Sequence, residues 1–310
     1  VLLDRRLHQI LALCDPALDP EQQVALTLHA VCGLTIEEVA RAFLLPATTM
    51  ARRLATAQAR LRAARQGLTP AEDGLADRLA AVMTTLYLVF NEGYAAASGP
   101  SLVRAELCRE AIRLTRLLRS LMTEPPPELD ALLALMLLHD ARRAARVDAG
   151  GELVPLADQD RARWDRDQID EARALLSAAL RRAPPGPLAL QAAIAALHAQ
   201  AASVQATDWR QIAALYRRLV AQEPSAVAAL NGAVAVAMAE GALAGLRLVD
   251  ELAETLGDYH LWHATRADLL HKLGRSDEAA ASYRRALALA TNEVERRFLQ
   301  RRLTELAGDS

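Results

Sequence analysis

Lysine is almost missing from this chain. Lys272 is the only one, although lysine and arginine together number 36. The arginine excess is therefore taken as a GC-rich coding bias and not as a binding signal in its own right. Aromatic residues make up only 4% of the sequence and β-branched runs are scarce, which removes the usual material of a sheet. Cysteine is limited to Cys14, Cys32 and Cys108. An odd number with no Cys-x-x-Cys pair argues against a disulfide framework or a zinc site and fits a reducing cytoplasm. No stretch approaches the length of about eighteen uninterrupted apolar residues that a membrane helix needs, and no signal-peptide pattern opens the chain. A soluble, cytoplasmic protein with no membrane partner is expected. There is no glycine-rich phosphate loop and no Gly-x-Ser-x-Gly elbow, so catalysis has no positive sign and neither cofactor nor metal is expected.

Alanine, leucine and arginine dominate instead, and these are strong helix formers. With 310 residues and 52% hydrophobic content, the chain can bury a large core in about two domains, all-α in class. The most informative stretch runs from Gly33-Leu34-Thr35-Ile36-Glu37-Glu38-Val39-Ala40 to Thr49-Met50-Ala51-Arg52-Arg53-Leu54. Thr35 is placed to N-cap a helix, and Glu38 three residues later completes a capping box. Leu44-Leu45-Pro46 breaks that helix, and a second begins at Ala47 or Thr48 and runs to about Ala64. Met50, Leu54, Ala57 and Leu61 recur at three- and four-residue steps, so one face packs and the other is free. Arg52, Arg53, Arg60, Arg62 and Arg65 populate the remainder, and no acid falls between Ala47 and Gln66. Such a stripe on a chain of net charge −2 is either the footprint of phosphate contacts or an ordinary solvated face. The capping box and the proline-marked turn favour a DNA-binding helix-turn-helix.

From about Asp4 to Arg65 these residues resemble region 4 of a sigma-70-type RNA polymerase sigma factor of the extracytoplasmic-function class. Three further strings, Leu86-Tyr87-Leu88-Val89-Phe90-Asn91-Glu92-Gly93-Tyr94, Leu135-Met136-Leu137-Leu138-His139-Asp140-Ala141-Arg142-Arg143 and Gln159-Asp160-Arg161…Trp164-Asp165, are similar to a subfamily with a long C-terminal, TPR-like helical extension. The resemblance implies recognition of the −35 promoter element and docking on the β flap of the RNA polymerase core. It also implies that the extension stands in for a separate restraining partner. Ala47, Thr48, Ala51 and Arg52 are then placed near base edges, with Thr35, Thr49, Arg53 and Arg60 as phosphate contacts. Thr56 and Gln58 stand where the subfamily usually has basic residues. No region 2 pattern precedes the motif and the chain opens on Val1, so a fragment or a degraded gene is expected.

The expected organisation is a DNA-binding module over residues 1–66, a Gly/Pro-containing linker over 67–74, a helical extension over 75–201 and TPR-like repeats over 202–310. Helices are predicted near Leu75–Asn91, Leu102–Met122, Leu129–Val147, Asp167–Arg182 and Leu188–Ala201, with a possible short strand or hairpin at Ala149–Leu156. Gly93 is read as a left-handed helix terminator. Tyr216 and Tyr283 sit close to two tetratricopeptide periods apart, and a concave surface on such pairs would take a protein partner. Asn91, Glu92, His139, Asp140, Arg142, Arg143, Asp160 and Arg161 are read as polar groups with a structural role, since acids and arginines balance there. An acid–base or metal site around His139 and Asp160 is the enzymatic alternative, and His260-x-x-His263 lacks a clear third ligand. The runner-up function is a TPR-type interaction scaffold whose helix-turn-helix is structural.

Overall fold

The structure, a computed structural model, describes residues 4–15, 18–65, 75–96 and 99–308. The expected linker at 67–74 lies outside the described residues, as do the side chains at 64–65 and 75–77. Among the described residues there is no strand, and no helix is long and apolar enough to cross a membrane. The chain divides into two compact units, one of Val1–Ala97 and Val103–Pro125, the other of Ser98–Leu102 and Pro126–Ser310.

The first unit holds α1 (Arg5–Leu13), α2 (Pro20–Ala30), α3 (Ile36–Ala42), α4 (Ala47–Arg65), α5 (Leu75–Tyr94) and α6 (Ala105–Ser120). Each of the first three begins where a side chain accepts an orphan backbone N–H. Asp4 takes that of Leu7, Asp19 that of Gln22, and Thr35 that of Glu38. Glu38 answers by accepting the Thr35 N–H at 2.7 Å, so the capping box is complete. Leu7, Ile10, Leu28, Val39, Met50, Val82, Leu86, Phe90 and Leu118 of this unit are all fully buried. Thus α5 and α6 belong to the compact unit of the helix-turn-helix, whereas the sequence division grouped them with the extension.

The turn between α3 and α4 is built on Leu44, which takes a left-handed conformation at φ 52°. The Leu45 N–H reaches back to the Ala40 carbonyl at 2.8 Å, the six-residue bond of a Schellman terminus. A branched side chain in that conformation costs about 1 kcal/mol, and Leu44 buries little in return, being 54% exposed. Leu44→Gly is therefore expected to leave stability unchanged or raise it by up to about 1 kcal/mol. A lowered urea midpoint for this variant would show that the leucine is held by contacts that outweigh the strain.

The second unit is a succession of helices packed on their chain neighbours: α7 (Pro127–Asp140), α8 (Arg166–Arg182), α9 (Pro187–Gln200), α10 (Trp209–Gln222), α11 (Ala226–Glu240), α12 (Ala242–Asp250), α13 (Ala253–Leu256), α14 (His260–Lys272), α15 (Ser276–Leu289) and α16 (Glu293–Gly308). Pairing begins at α7 with α8, ahead of the repeats expected from residue 202. Tyr283 is buried between α14, α15 and α16, where its hydroxyl donates to Asp268 and accepts from Arg302. The helix predicted over Leu129–Val147 stops at Asp140. The chain there folds back through three short 3-10 turns, and the Asp165 N–H takes the Ala141 carbonyl at 2.9 Å. Within that connection Val147 and Leu153 form an isolated antiparallel bridge, which is the extent of the predicted strand or hairpin.

Candidate nucleic-acid interface

Helix α4 starts after Pro46, whose carbonyl accepts from both Thr49 and Met50. Its buried stripe is Met50, Leu54, Ala57 and Leu61. A helix turns about 100° per residue, so the opposite face comprises Thr48, Arg52, Ala55, Ala59 and Arg62. Each of these five is exposed. Small residues alternate with the two arginines, which leaves a shallow surface that a groove wall can approach.

The other sequence-selected positions lie on the flanks. Ala47, Thr49 and Ala51 are half-buried near the helix start. Arg53 and Arg60 turn toward α2, where Arg53 pairs with Glu21 at 2.5 Å and Arg60 meets Gln22 at 3.1 Å and Asp19 at 3.7 Å. Thr35 is engaged in its capping box. The basic stripe is therefore split: Arg52 and Arg62 point away from the unit, and Arg53 and Arg60 are held by acids of α2. Those pairs are exposed, and such pairs contribute roughly 0–1 kcal/mol each, so a phosphate can replace the carboxylate at little cost. The side chain of Arg65 lies outside the described residues.

Arg104 is the residue that the sequence reading missed. Its N–H donates to the Gly93 carbonyl at 2.7 Å, and its guanidinium reaches Glu38 at 2.9 Å, Glu106 at 3.5 Å and Glu92 at 3.6 Å. Glu38 thereby serves twice, closing the capping box of α3 and tying it to the start of α6. Glu92 is 7% exposed, and this cation offsets part of the cost of burying its charge. Arg113 adds a second tie within the unit, bonding Asp4 at 2.8 Å and Glu110 at 2.8 Å; the Leu7 N–H and then Arg113 lower the Asp4 pKa, and Arg113 lowers that of Glu110. The helix-turn-helix is thus braced by α5 and α6 through both apolar contact and ion pairs. The signal for Arg104 was faint, since its three partners are spread from position 38 to position 106.

The polar groups of the sequence reading fall in both units. Asn91 and Glu92 lie on α5 in the first unit; His139, Asp140, Arg142, Arg143, Asp160 and Arg161 lie at and after the end of α7 in the second. There Arg143 pairs with Asp140 at 2.9 Å and Arg142 meets His139 Nδ1 at 2.9 Å. Asp160 and Asp165 are N-caps, accepting from the backbone N–H groups of Ala162 and Gln168. Arg161 donates to the carbonyls of His198 and Ala201 at the end of α9. Among the described residues no group of three metal-ligating side chains comes together, and His260 and His263 go to Glu295 and the Gly257 carbonyl.

The Sigma-70, region 4 family matches residues 8–61, which is the span of α1 to α4. A family of unknown function (DUF6596) matches residues 78–180 and runs from α5 to α8, across both compact units. An uncharacterized protein of Rhizobium meliloti (strain 1021) is 47% identical over 305 residues, covering 97% of this chain and 71% of that protein. Region 4 is a transcription-factor-type, non-enzymatic module, and its DNA-binding character agrees with the exposed basic face of α4. The chain belongs to the sigma-70-type factors in which a region 4 helix-turn-helix is continued by a long helical extension.

Proposed function

We propose that the first unit recognises a −35 promoter element through the outward face of α4 and that another of its faces docks on the β flap of RNA polymerase. The observation that carries this reading is the exposed row Thr48, Arg52, Ala55, Ala59 and Arg62 above a fully buried stripe. Thr48 and Arg52, with Ala47 and Ala51 beside them, lie at the N-terminal end of the helix, where base edges come within reach. Arg62, nearly three turns further on, is placed for backbone phosphate, joined by Thr35, Thr49, Arg53 and Arg60 when α2 releases the last two. The second unit supplies regulation or a partner surface as TPR-like helix pairs, in a cytoplasmic setting.

The test is a titration of mixed-sequence duplex DNA against the full chain at several salt concentrations. Arg52→Ala combined with Arg62→Ala is expected to weaken binding about tenfold at low salt and to flatten the slope of log K against log salt by about two. Both side chains are exposed, so the melting profile should not move. Unchanged affinity and slope would remove the DNA reading and leave the scaffold, with the helix-turn-helix as a structural element.

A further inference from the structure

Helix α4 carries no acid, so the carboxylates beside its arginines come from another element. They come from the start of α2. Arg53 Nη1 lies 2.5 Å from Glu21 Oε2, and Arg60 Nη1 lies 3.1 Å from Gln22 Oε1 and 3.7 Å from Asp19 Oδ2. Asp19 divides its carboxylate: Oδ1 accepts the Gln22 N–H at 2.9 Å as the cap of α2, and Oδ2 faces Arg60. Seven residues apart, Arg53 and Arg60 fall within about 20° of one another around their helix. Two cations on one flank of α4 are thus matched by two anions on one turn of α2.

These four side chains are 41–66% exposed, so their pairing does little to hold α2 on α4. Its effect on a ligand is larger. A carboxylate oxygen and a phosphate oxygen ask the same of a guanidinium, so Glu21 and Asp19 stand where phosphate oxygens would. A DNA backbone drawn to this flank must break two pairs and then lie beside two displaced anions. Each pair is a small obstacle, and the two together amount to about fivefold in affinity. A duplex that seats its phosphates closely on Arg53 and Arg60 offsets that cost, whereas one held loosely by charge does not. Selectivity is a difference of affinities, and a repulsive element that burdens the unwanted complex more is one way to raise it.

Building on the DNA-binding role of α4, on which this inference rests, we propose that Glu21 and Asp19 are specificity-determining residues. They act as internal counter-ions that hold down the affinity of the first unit for the phosphate backbone of any sequence. The ligand they discriminate against is bulk duplex DNA, whose binding is driven by the counterions that its phosphates release. Arg52 and Arg62 remain open at first encounter, and Arg53 and Arg60 are added only where the fit displaces the acids of α2.

The experiment is a salt titration of mixed-sequence duplex DNA against the full chain carrying Asp19→Asn and Glu21→Gln. Asparagine caps a helix as well as aspartate does, so α2 keeps its start. At about 0.1 M salt, where charges are screened beyond about 10 Å, affinity is expected to rise about fivefold. The slope of log K against log salt should steepen by about one to two. Adding Arg53→Ala and Arg60→Ala should return the affinity to about the wild-type value, since the released arginines are the source of the gain. Glu21→Gln alone, expected to give about twofold, carries the test if the double variant folds poorly. Glu106→Gln removes the same charge from an acid that pairs with Arg104 and should give less than half of that gain. Equal gains from Glu21→Gln and Glu106→Gln would overturn the proposal, as would a lowered melting midpoint with unchanged or weaker binding, the mark of a mere brace. If Arg52→Ala with Arg62→Ala weakens binding while the acid variants leave it unchanged, the counter-ion role falls and DNA binding by α4 stands. If neither set alters binding, both fall.

Discussion

Gly93→Ala is expected to destabilise the first unit by about 2 kcal/mol, and Gly93→Val by more. Gly93 lies in the last turn of α5 with ordinary helical geometry, not in the left-handed conformation that its place near the helix end suggested. A methyl group built there would stand 2.7 Å from the Cys108 backbone nitrogen and 2.9 Å from its sulfur. The glycine is thus required by the close approach of α5 and α6. The sign of the effect separates the explanations. In an open helix, alanine is favoured over glycine by about 1 kcal/mol, so the substitution would stabilise. At the observed contact, overpacking costs about 3 kcal/mol, because a backbone atom cannot move aside as a side chain can. Urea denaturation followed by far-UV circular dichroism measures the difference. Adding Cys108→Ala should recover only part of the loss, since the backbone nitrogen remains. A Gly93→Ala protein as stable as wild type would mean that the helices are not in contact there.

The same pair of helices shows where the sequence was informative and where it was not. Thr35, Glu38, Pro46 and the apolar stripe of α4 act through neighbours three or four residues away. Local spacing therefore sufficed for the helix-turn-helix and for the all-α class, since helix signals are local. The end of α7 was misplaced because nothing between Leu138 and Val147 breaks a helix by composition; the stop comes from Asp165, far along the chain, capturing the Ala141 carbonyl. The division of the arginine stripe into free and engaged members required knowing that α2 runs beside α4. Arg104 could not be found by any periodic pattern, because its partners Glu38, Glu92 and Glu106 are assembled by folding. One practical consequence concerns truncation. Removing everything after residue 74 would strip α5 and α6 from the unit that carries the DNA-binding face, so loss of binding in such a truncation would say nothing about the second unit.

Acidification from pH 7.5 to pH 5 is expected to cost the second unit about 2 kcal/mol through His198 alone, with a further loss through His139, well before the carboxylates titrate. Burial holds the His198 imidazole down to about 4, with the Arg142 and Arg161 guanidiniums adding to the shift. His139 is pushed well below the ordinary histidine value by burial first, then by Arg142, Arg146 and His198. A histidine whose folded pKa is depressed binds fewer protons than the unfolded chain. Its contribution is complete above about 6.5 and is lost as pH falls toward the folded value, by about 1.4 kcal/mol per unit for each such group. Asp4, Glu110 and Glu152 act in the same direction but in a lower window, because their backbone or arginine partners lower the folded pKa beneath 3.8 or 4.5, and their stabilisation is lost only as the pH falls through and below that range. The interval between pH 6.5 and pH 5 therefore isolates the histidines. All three tryptophans belong to the second unit, so their fluorescence follows its unfolding without interference from the first. His198→Gln should lower the slope of stability against pH over that interval by about 1.4 kcal/mol per pH unit; an unchanged slope would place the titrating group elsewhere.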